Sequence, residues 1–549
     1  MPERSLRILD GRKEASVNRL PRERASGPGR CLRAVIGLWV VVLLLAGCAA
    51  RAPEYWPTEG WRTSTPEAQG MDSERLARLL EYVEEHEIEL RSVVIVRNGY
   101  IVLEAYYYPF DASLENRVCS VTKSVTSALV GIAIGQGHIR GVDERVLDLF
   151  SEREVANIGP WKEAMTLAHL LTMSSGIEWS HPASVEQMQA TEDWAQFVLD
   201  RPMSSAPGTV WNYHEGGSHL LSVLVQEKSG MRTADFADQY LFGPLGIGPV
   251  RWGTDPDGVV YGGHWLHLRS RDMAKFGYLY LKDGVWDGRQ VVPAGWVRAS
   301  AEGRLKTDSY PYYGYQWWVS DDDDYTYAYG YGEQKIYVVP EKEMVVVITA
   351  SIDPDELAWE VCPEYLLEKL IIPAIRSRRP LRRNEEGEAL LRQWVEAASQ
   401  PQPEPVPSLP ALAEQTAGRT YVLRENYAGW RAFSLAFQAQ EAALTIAFGD
   451  SSEDLAIGLD GVHRVGHYGQ VGELFKGEGY WSGPTWTEIG ARGRWEDENT
   501  FVVTLMPLEG VLDYVLGFDF AGDDVTATLR FKLYGEWRTL FTIPGTLQK

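Results

Sequence analysis

The chain contains one Ser-x-x-Lys tetrad, Ser120-Val121-Thr122-Lys123. A hydroxyl and an amine three residues apart share a face of a helix. If the amine is neutral, it can take the hydroxyl proton and leave an oxygen able to attack a carbonyl carbon. Alone the tetrad is weak, because short motifs recur by chance; without such chemistry, Ser120 is a helix cap and Lys123 a solvated charge. The run Ser120–Ile134 strengthens the catalytic reading. Val121, Val125, Leu129 and Ile132 form an apolar stripe at helical spacing, and Gly135-Gln136-Gly137 ends it. Ser120 then stands in the first turn, where unpaired N–H groups favour negative charge. A buried Lys123 there should lose its proton more readily. Cys119 has no histidine beside it in sequence and reads as packing. No G-x-S-x-G surrounds any serine, which argues against an α/β-hydrolase elbow.

The flanking elements must hold this helix. Asp72–Val83 is predicted to be a helix capped by Asp72 or Ser73, with Leu76, Leu79, Leu80 and Val83 on one face. Val93–Val96 and Tyr100–Tyr106 flank Asn98-Gly99, the signature of a type I′ hairpin. A second hairpin is expected from Ile336–Val339 and Met344–Thr349 around Pro340. Strands at both ends with helices between them predict an α+β layer closed by remote segments. Five prolines between Pro401 and Pro410 mark a stiff spacer. Beyond it, Phe433/Leu435/Phe437, Leu444/Ile446/Phe448 and Val525/Ala527/Leu529/Phe531 keep period two, predicting a small antiparallel barrel or sandwich over 416–549.

The 549 residues carry a net charge of −23, and the part after the basic leader is more acidic still. Such a chain repels phosphate backbones, which excludes nucleic-acid binding. Ala34–Ala46 is a 13-residue apolar run, short for a membrane span but suited to a secretory signal. It ends in Leu45-Ala46-Gly47-Cys48, which resembles a bacterial lipobox; Cys48 would be lipidated and become the first residue of the mature chain. The leader ahead of the run is long, so the true start is open. Ala49 in place of aspartate favours outer-membrane sorting by the same resemblance. Cys119 and Cys362 could pair or stay free. His264 and His267 are a close histidine pair whose spacing alone is weak evidence for a metal, and no metal or cofactor is expected.

The segments SVTKSVTSALVGIAIGQG, LAHLLTMSSGIEW, PGTVWNYHEGGSHLLSVLVQEKSG, SRDMAKFGYLYLKDGVWDGR and YAYGYGEQKIYVVPEKEMVVVITAS resemble, in order, those of the class C β-lactamase and penicillin-binding-protein-like serine hydrolases. The resemblance runs from about residue 60 to 380. It implies an α+β fold, an antiparallel sheet flanked by helices with a helical lobe, and the alternating tail is similar to the lipocalin-like domain of some members. The organisation expected is a signal peptide at 1–47, a tether at 48–62 and a hydrolase domain at 63–382. A helix and Pro-rich linker follow at 383–415, then a β-barrel at 416–549.

By the resemblance, Ser120 is the nucleophile, Lys123 its base and Tyr213 the proton relay, with the N–H groups of Ser120 and Tyr331 as oxyanion hole. Two positions depart from the pattern. Glu215 stands where the family has asparagine, so it either points away or serves a different substrate. Ala328-Tyr329-Gly330 replaces the Lys-Thr-Gly or His-x-Gly strand, and the cation that meets a substrate carboxylate is missing there. Glu215, Tyr329, Gly330 and His264 are the substrate-contact candidates. Gly262-Gly263 could mark a strand pressed against the site, and Trp317, Trp318, Tyr327, Tyr329 and Tyr331 could line an acyl pocket. The leading expectation is an envelope-tethered serine hydrolase of small esters, linear amides or peptides, facing the periplasm or exterior. The alternatives are a D-alanyl-D-alanine carboxypeptidase or β-lactamase, and a non-catalytic envelope binding protein.

Overall fold

The computed structural model describes residues 55–307, 312–322, 324–473 and 488–549. The apolar leader and Cys48 lie outside them. No described helix is long and apolar enough to cross a membrane.

The first domain is built on an antiparallel sheet. Its five longer strands are β1 (Leu90–Arg97), β2 (Tyr100–Tyr106), β3 (Thr326–Gly330), β4 (Gln334–Val339) and β5 (Met344–Ala350), in the order β2-β1-β5-β4-β3. Three two-residue strands, among them Trp318–Val319 and Tyr312–Tyr313, extend it beyond β3. The Asn98-Gly99 turn has both φ angles positive, as a type I′ hairpin requires. β1 pairs with β5 from some 250 residues away, Val94 opposite Val347 and Ile95 opposite Val346.

β1 and β5 are buried at every position. Alternate side chains enter two different cores, Val94, Val96, Val345 and Val347 on one face and Val93, Ile95, Val346 and Ile348 on the other. A sheet covered on both faces needs continuous rather than alternating apolar strands. Helix α1 (Ser73–Glu85), capped by Asp72, covers the second face through Leu76, Leu79 and Leu80. Helix α2 (Val121–Gly135) and helix α4 (Ser270–Leu281) cover the first, with α3 (Glu215–Ser229) packed on α2. The expected one-sided stripe on α2 is a difference: residues 121–133 are buried all round. Its small residues allow this; a Cβ on Gly131 would lie 2.4 Å from the Trp296 ring. Helix α5 (Glu385–Ala398), grouped with the linker on sequence grounds, lies on α1 and sends Leu391 into the same core.

Among the described residues the second domain is a barrel of nine antiparallel strands closed by one parallel contact, with a short tenth strand, Arg464–His467, paired on the Glu488–Trp495 strand. The nine are β6 (Thr420–Leu423), β7 (Ala432–Phe437), β8 (Glu441–Phe448), β9 (Ser451–Gly458), β10 (Glu488–Trp495), β11 (Thr500–Pro507), β12 (Tyr514–Ala521), β13 (Asp524–Leu533) and β14 (Glu536–Leu547). The order is β9-β8-β7-β6-β14-β13-β12-β11-β10, and Gly458 of β9 meets Arg492 of β10 to close it. The strict in–out alternation of β13 shows why period two was visible in this half of the chain.

The domains are fastened by a buried arginine. Arg91 of β1 donates to the carbonyls of Leu508, at 3.1 Å, and Gly510, both in the β11–β12 connection. Burial pulls its pKa down to about 10, while the facing Asp513 carboxylate acts to raise it. Asp513 is itself pushed up to about 6 by burial. Replacing Arg91 leaves the two carbonyls without their donor and the Asp513 carboxylate without its facing positive charge. Arg91→Ala should therefore destabilise the protein by about 3 kcal/mol, read as a lower urea midpoint.

Candidate active site

Ser120 sits at the N-terminus of α2 after a left-handed Cys119, φ +49°, a conformation that turns the chain abruptly into the helix. Its hydroxyl makes no capping bond. Instead Ser120 Oγ accepts a hydrogen bond from Lys123 Nζ at 2.8 Å. Lys123 also donates to the Gly263 carbonyl at 2.9 Å, and its Nζ lies 3.9 Å from Glu215 Oε1. Only 1% of Lys123 is exposed. Burial pulls its pKa down to about 8, outweighing the Glu215 charge that raises it. At that value about one lysine in ten is neutral at pH 7.

Tyr213 lines the cleft beside Ser120, whose hydroxyl acts on its phenol, and its ring centroid lies 4.6 Å from Lys123 Nζ. Burial first, then Tyr313 and Glu215, hold its pKa well above the usual phenol value. Tyr213 is thus a protonated donor at neutral pH, and Lys123 is the group able to lose a proton. The following residue, His214, caps α3 by accepting from the Gly217 N–H at 2.7 Å. That cap places Glu215 in the first turn of a 15-residue helix, where a carboxylate is stabilised.

Glu215 does not point away from the site, nor does it face the cleft. Its side chain is fully buried, takes the Trp179 indole N–H at 3.3 Å, and lies 3.2 Å from His181 Nε2. It stands against Lys123 and His181 and is not among the residues that line the cleft. His264, the other side chain proposed for substrate contact that does not line the cleft, lies beneath it. It is wholly buried, with Nδ1 3.4 Å from Arg117 Nη2, and burial holds its pKa well below the imidazole range. The Gly262-Gly263 segment is a turn rather than a strand, but it is pressed on α3: a Cβ on Gly262 would lie 2.3 Å from the Ser218 carbonyl.

Gly330 ends β3 directly against the nucleophile turn. A Cβ there would stand 2.2 Å from the Val118 carbonyl and 3.0 Å from the Ser120 nitrogen. No side chain fits, so the strand end and the next residue, Tyr331, pass close to the Ser120 backbone.

The cleft over Ser120 has a volume of about 580 Å³. Tyr213, Trp211, Trp318, Tyr329 and Tyr331 form aromatic walls, and His181, Pro354, Asp355 and Tyr534 complete the lining. Of the aromatics expected to line a pocket, Trp317 and Tyr327 belong to the core instead. Among the described lining residues there is no lysine or arginine. Lys335, opposite Tyr329 in the β3–β4 register, pairs with Glu333 and Glu364, its Nζ 4.2 Å from the Tyr329 ring centroid. His181, Trp211, Asp355 and Tyr534 had no sequence signal, because each comes from a loop or a remote domain. Cys119 and Cys362 are free and buried.

These features belong to a known group. The beta-lactamase family model matches residues 77–370, more than half of the chain, and the chain belongs to that family, whose members are hydrolases. It is similar to the 6-aminohexanoate-dimer hydrolase of Paenarthrobacter ureafaciens, 23% identical over 298 residues, covering 48% of this chain and 74% of the relative. An uncharacterized protein of Alkalihalophilus pseudofirmus is 25% identical over 263 residues, 42% of this chain and 70% of its own. The octameric penicillin-binding protein homologue from Pyrococcus abyssi aligns over 85% of this chain and 98% of that one, with TM-score 0.43 and 14% identity.

The Lys123–Glu215 pairing has a measurable consequence. Activity that needs neutral Lys123 should rise with pH through an apparent pKa of about 8 in kcat/KM. Glu215→Gln removes the charge that raises this pKa. The rising limb should then move to lower pH, which a pH–rate profile of both proteins checks.

Proposed function

We propose that the chain is a serine hydrolase of small, uncharged esters or linear amides, working through an acyl-Ser120 intermediate. The observation that carries this reading is the buried amine of Lys123, 2.8 Å from Ser120 Oγ and lowered toward neutrality. Lys123 takes the Ser120 proton as Oγ bonds to the substrate carbonyl carbon. The N–H groups of Ser120 and Tyr331 receive the oxyanion, an interaction worth ~10²–10³ in rate per donor. As the carbonyl–leaving-group bond breaks, the Tyr213 hydroxyl gives its proton to the departing oxygen or nitrogen and recovers one from Lys123. Water then attacks the acyl carbon, loses a proton to the same pair, and releases the acid while Ser120 Oγ regains its hydrogen.

Two features support uncharged, linear substrates over penicillins or D-alanyl peptides. The cleft has no lining cation among the described residues, and Asp355 stands in its wall. A substrate carboxylate would enter unpaired and repelled. The relative named as a 6-aminohexanoate-dimer hydrolase supports the linear-amide part of this reading and not the uncharged part, because such a dimer keeps a terminal carboxylate. We further propose that Cys48 carries a lipid that tethers the enzyme to the cell envelope, outer-membrane facing where the host has two membranes. The supporting observation is the Leu45-Ala46-Gly47-Cys48 sequence after its apolar run.

Two tests follow from this reading. Protein beginning after Cys48 should release p-nitrophenol from a short-chain p-nitrophenyl ester. Ser120→Ala should lower kcat/KM at least ~10³-fold and Tyr213→Phe ~10²-fold or more; equal rates in wild type and Ser120→Ala would remove the esterase reading. In cells fed a labelled fatty acid, full-length protein should take up label and Cys48→Ala should not.

A further inference from the structure

The barrel's described interior is filled by its own side chains. Phe433 packs on Phe518 at 4.5 Å between ring centroids and on Tyr421 at 5.3 Å, and Phe437 meets Phe501 at 5.1 Å. The residues that β8 and β12 send inward, such as Leu444, Ile446, Leu516 and Phe518, are completely buried. The barrel's outside reaches the Ser120 cleft at one hairpin.

That hairpin is β13–β14. Leu533 and Glu536 form its last pair, and Tyr534-Gly535 makes the two-residue turn with φ +51° and +73°. A tyrosine is a costly choice there, since such turns favour Asn, Asp or Gly at the first position. The cost is met by contacts at the cleft. Tyr534 N donates to Tyr331 Oη at 3.4 Å, and its hydroxyl lies 3.4 Å from His181 Nε2. Its ring stands edge-on to Tyr331 at 5.0 Å and to His181 at 5.5 Å. Gly535 N donates to Asp353 Oδ2 at 2.9 Å, fixing the turn on the loop that also supplies Asp355.

We infer that Tyr534, delivered by the C-terminal barrel, is a specificity-determining residue: its ring closes one side of the Ser120 cleft and sets the size of substrate admitted. The cleft is incomplete without the barrel, because Tyr534 is one of its walls. The inference rests on the reading of Ser120 as nucleophile for its kinetic test, but access to position 120 can be read without catalysis.

The kinetic test compares wild type, Tyr534→Ala and Tyr534→Phe, all full-length. One ester series varies the acyl chain from acetate to decanoate, and the other varies the alcohol from ethyl to naphthyl acetate. Tyr534→Ala should raise kcat/KM for the bulky member over the small one by ~10-fold in at least one series. Tyr534→Phe, which keeps the ring, should retain the wild-type ratio. A loss of stability alone lowers both members together and leaves the ratio unchanged; unchanged ratios in both series overturn the inference. If wild type turns over no ester, the hydrolase reading fails and access decides. In a Ser120→Cys background, with native-cysteine labelling subtracted, Tyr534→Ala should speed modification by pyrenyl maleimide ~10-fold while iodoacetamide changes little. Equal acceleration of both reagents, or of neither, overturns it.

Discussion

The structure depends on keeping one amine out of water. The Lys123 amine meets Ser120 Oγ, the Gly263 carbonyl, the Glu215 carboxylate and the face of the Tyr213 ring. A solvated lysine would hold its proton at neutral pH and leave Ser120 idle. A lysine buried with no opposing charge would lose it more readily, and in the proposed mechanism the proton it passes to a leaving group would be less available. Burial against Glu215 sets the balance near 8. The rest of the domain serves that burial: α2 is enclosed on all sides, α3 brings Glu215 to its N-terminus, and Gly330 lets the sheet edge close over the turn.

How much of this could be read beforehand follows from the range of each interaction. Local signals were legible. Asn98-Gly99, the Asp72 cap and the alternation of β13 are properties of a few adjacent residues, and the structure shows each. The Ser-x-x-Lys face is likewise local, and the two side chains meet. Burial all round α2 was not legible as periodicity, because an enclosed helix built with Gly, Ala, Ser and Thr shows a blurred stripe. The place of His264 was not legible, because sequence proximity to Gly263 says nothing about side-chain direction; the backbone faces Lys123 while the imidazole faces Arg117. His181 and Tyr534 reach the cleft only through tertiary contacts, and no spacing rule connects residues so far apart.

The two departures from the family pattern find one physical account. Glu215 replaces a group that would have faced the substrate, and it is withdrawn beneath His181 to act on the lysine. At Ala328-Tyr329 the cation has gone, and Lys335 across the register is held by two carboxylates away from the cleft lining. Both changes remove handles for an anionic substrate while leaving Ser120, Lys123 and Tyr213 together. On the proposed reading, the aromatic wall, extended by a residue of the barrel, selects by shape rather than by charge.

The most direct measurement is the mass of the Ser120 peptide after acid quench of the protein with an activated ester. The account predicts an added acyl group on Ser120 that disappears as hydrolysis completes, formed faster above pH 8 than below it, and absent in Ser120→Ala. An unmodified Ser120 peptide during demonstrable turnover, or an acyl group on another residue, would contradict it.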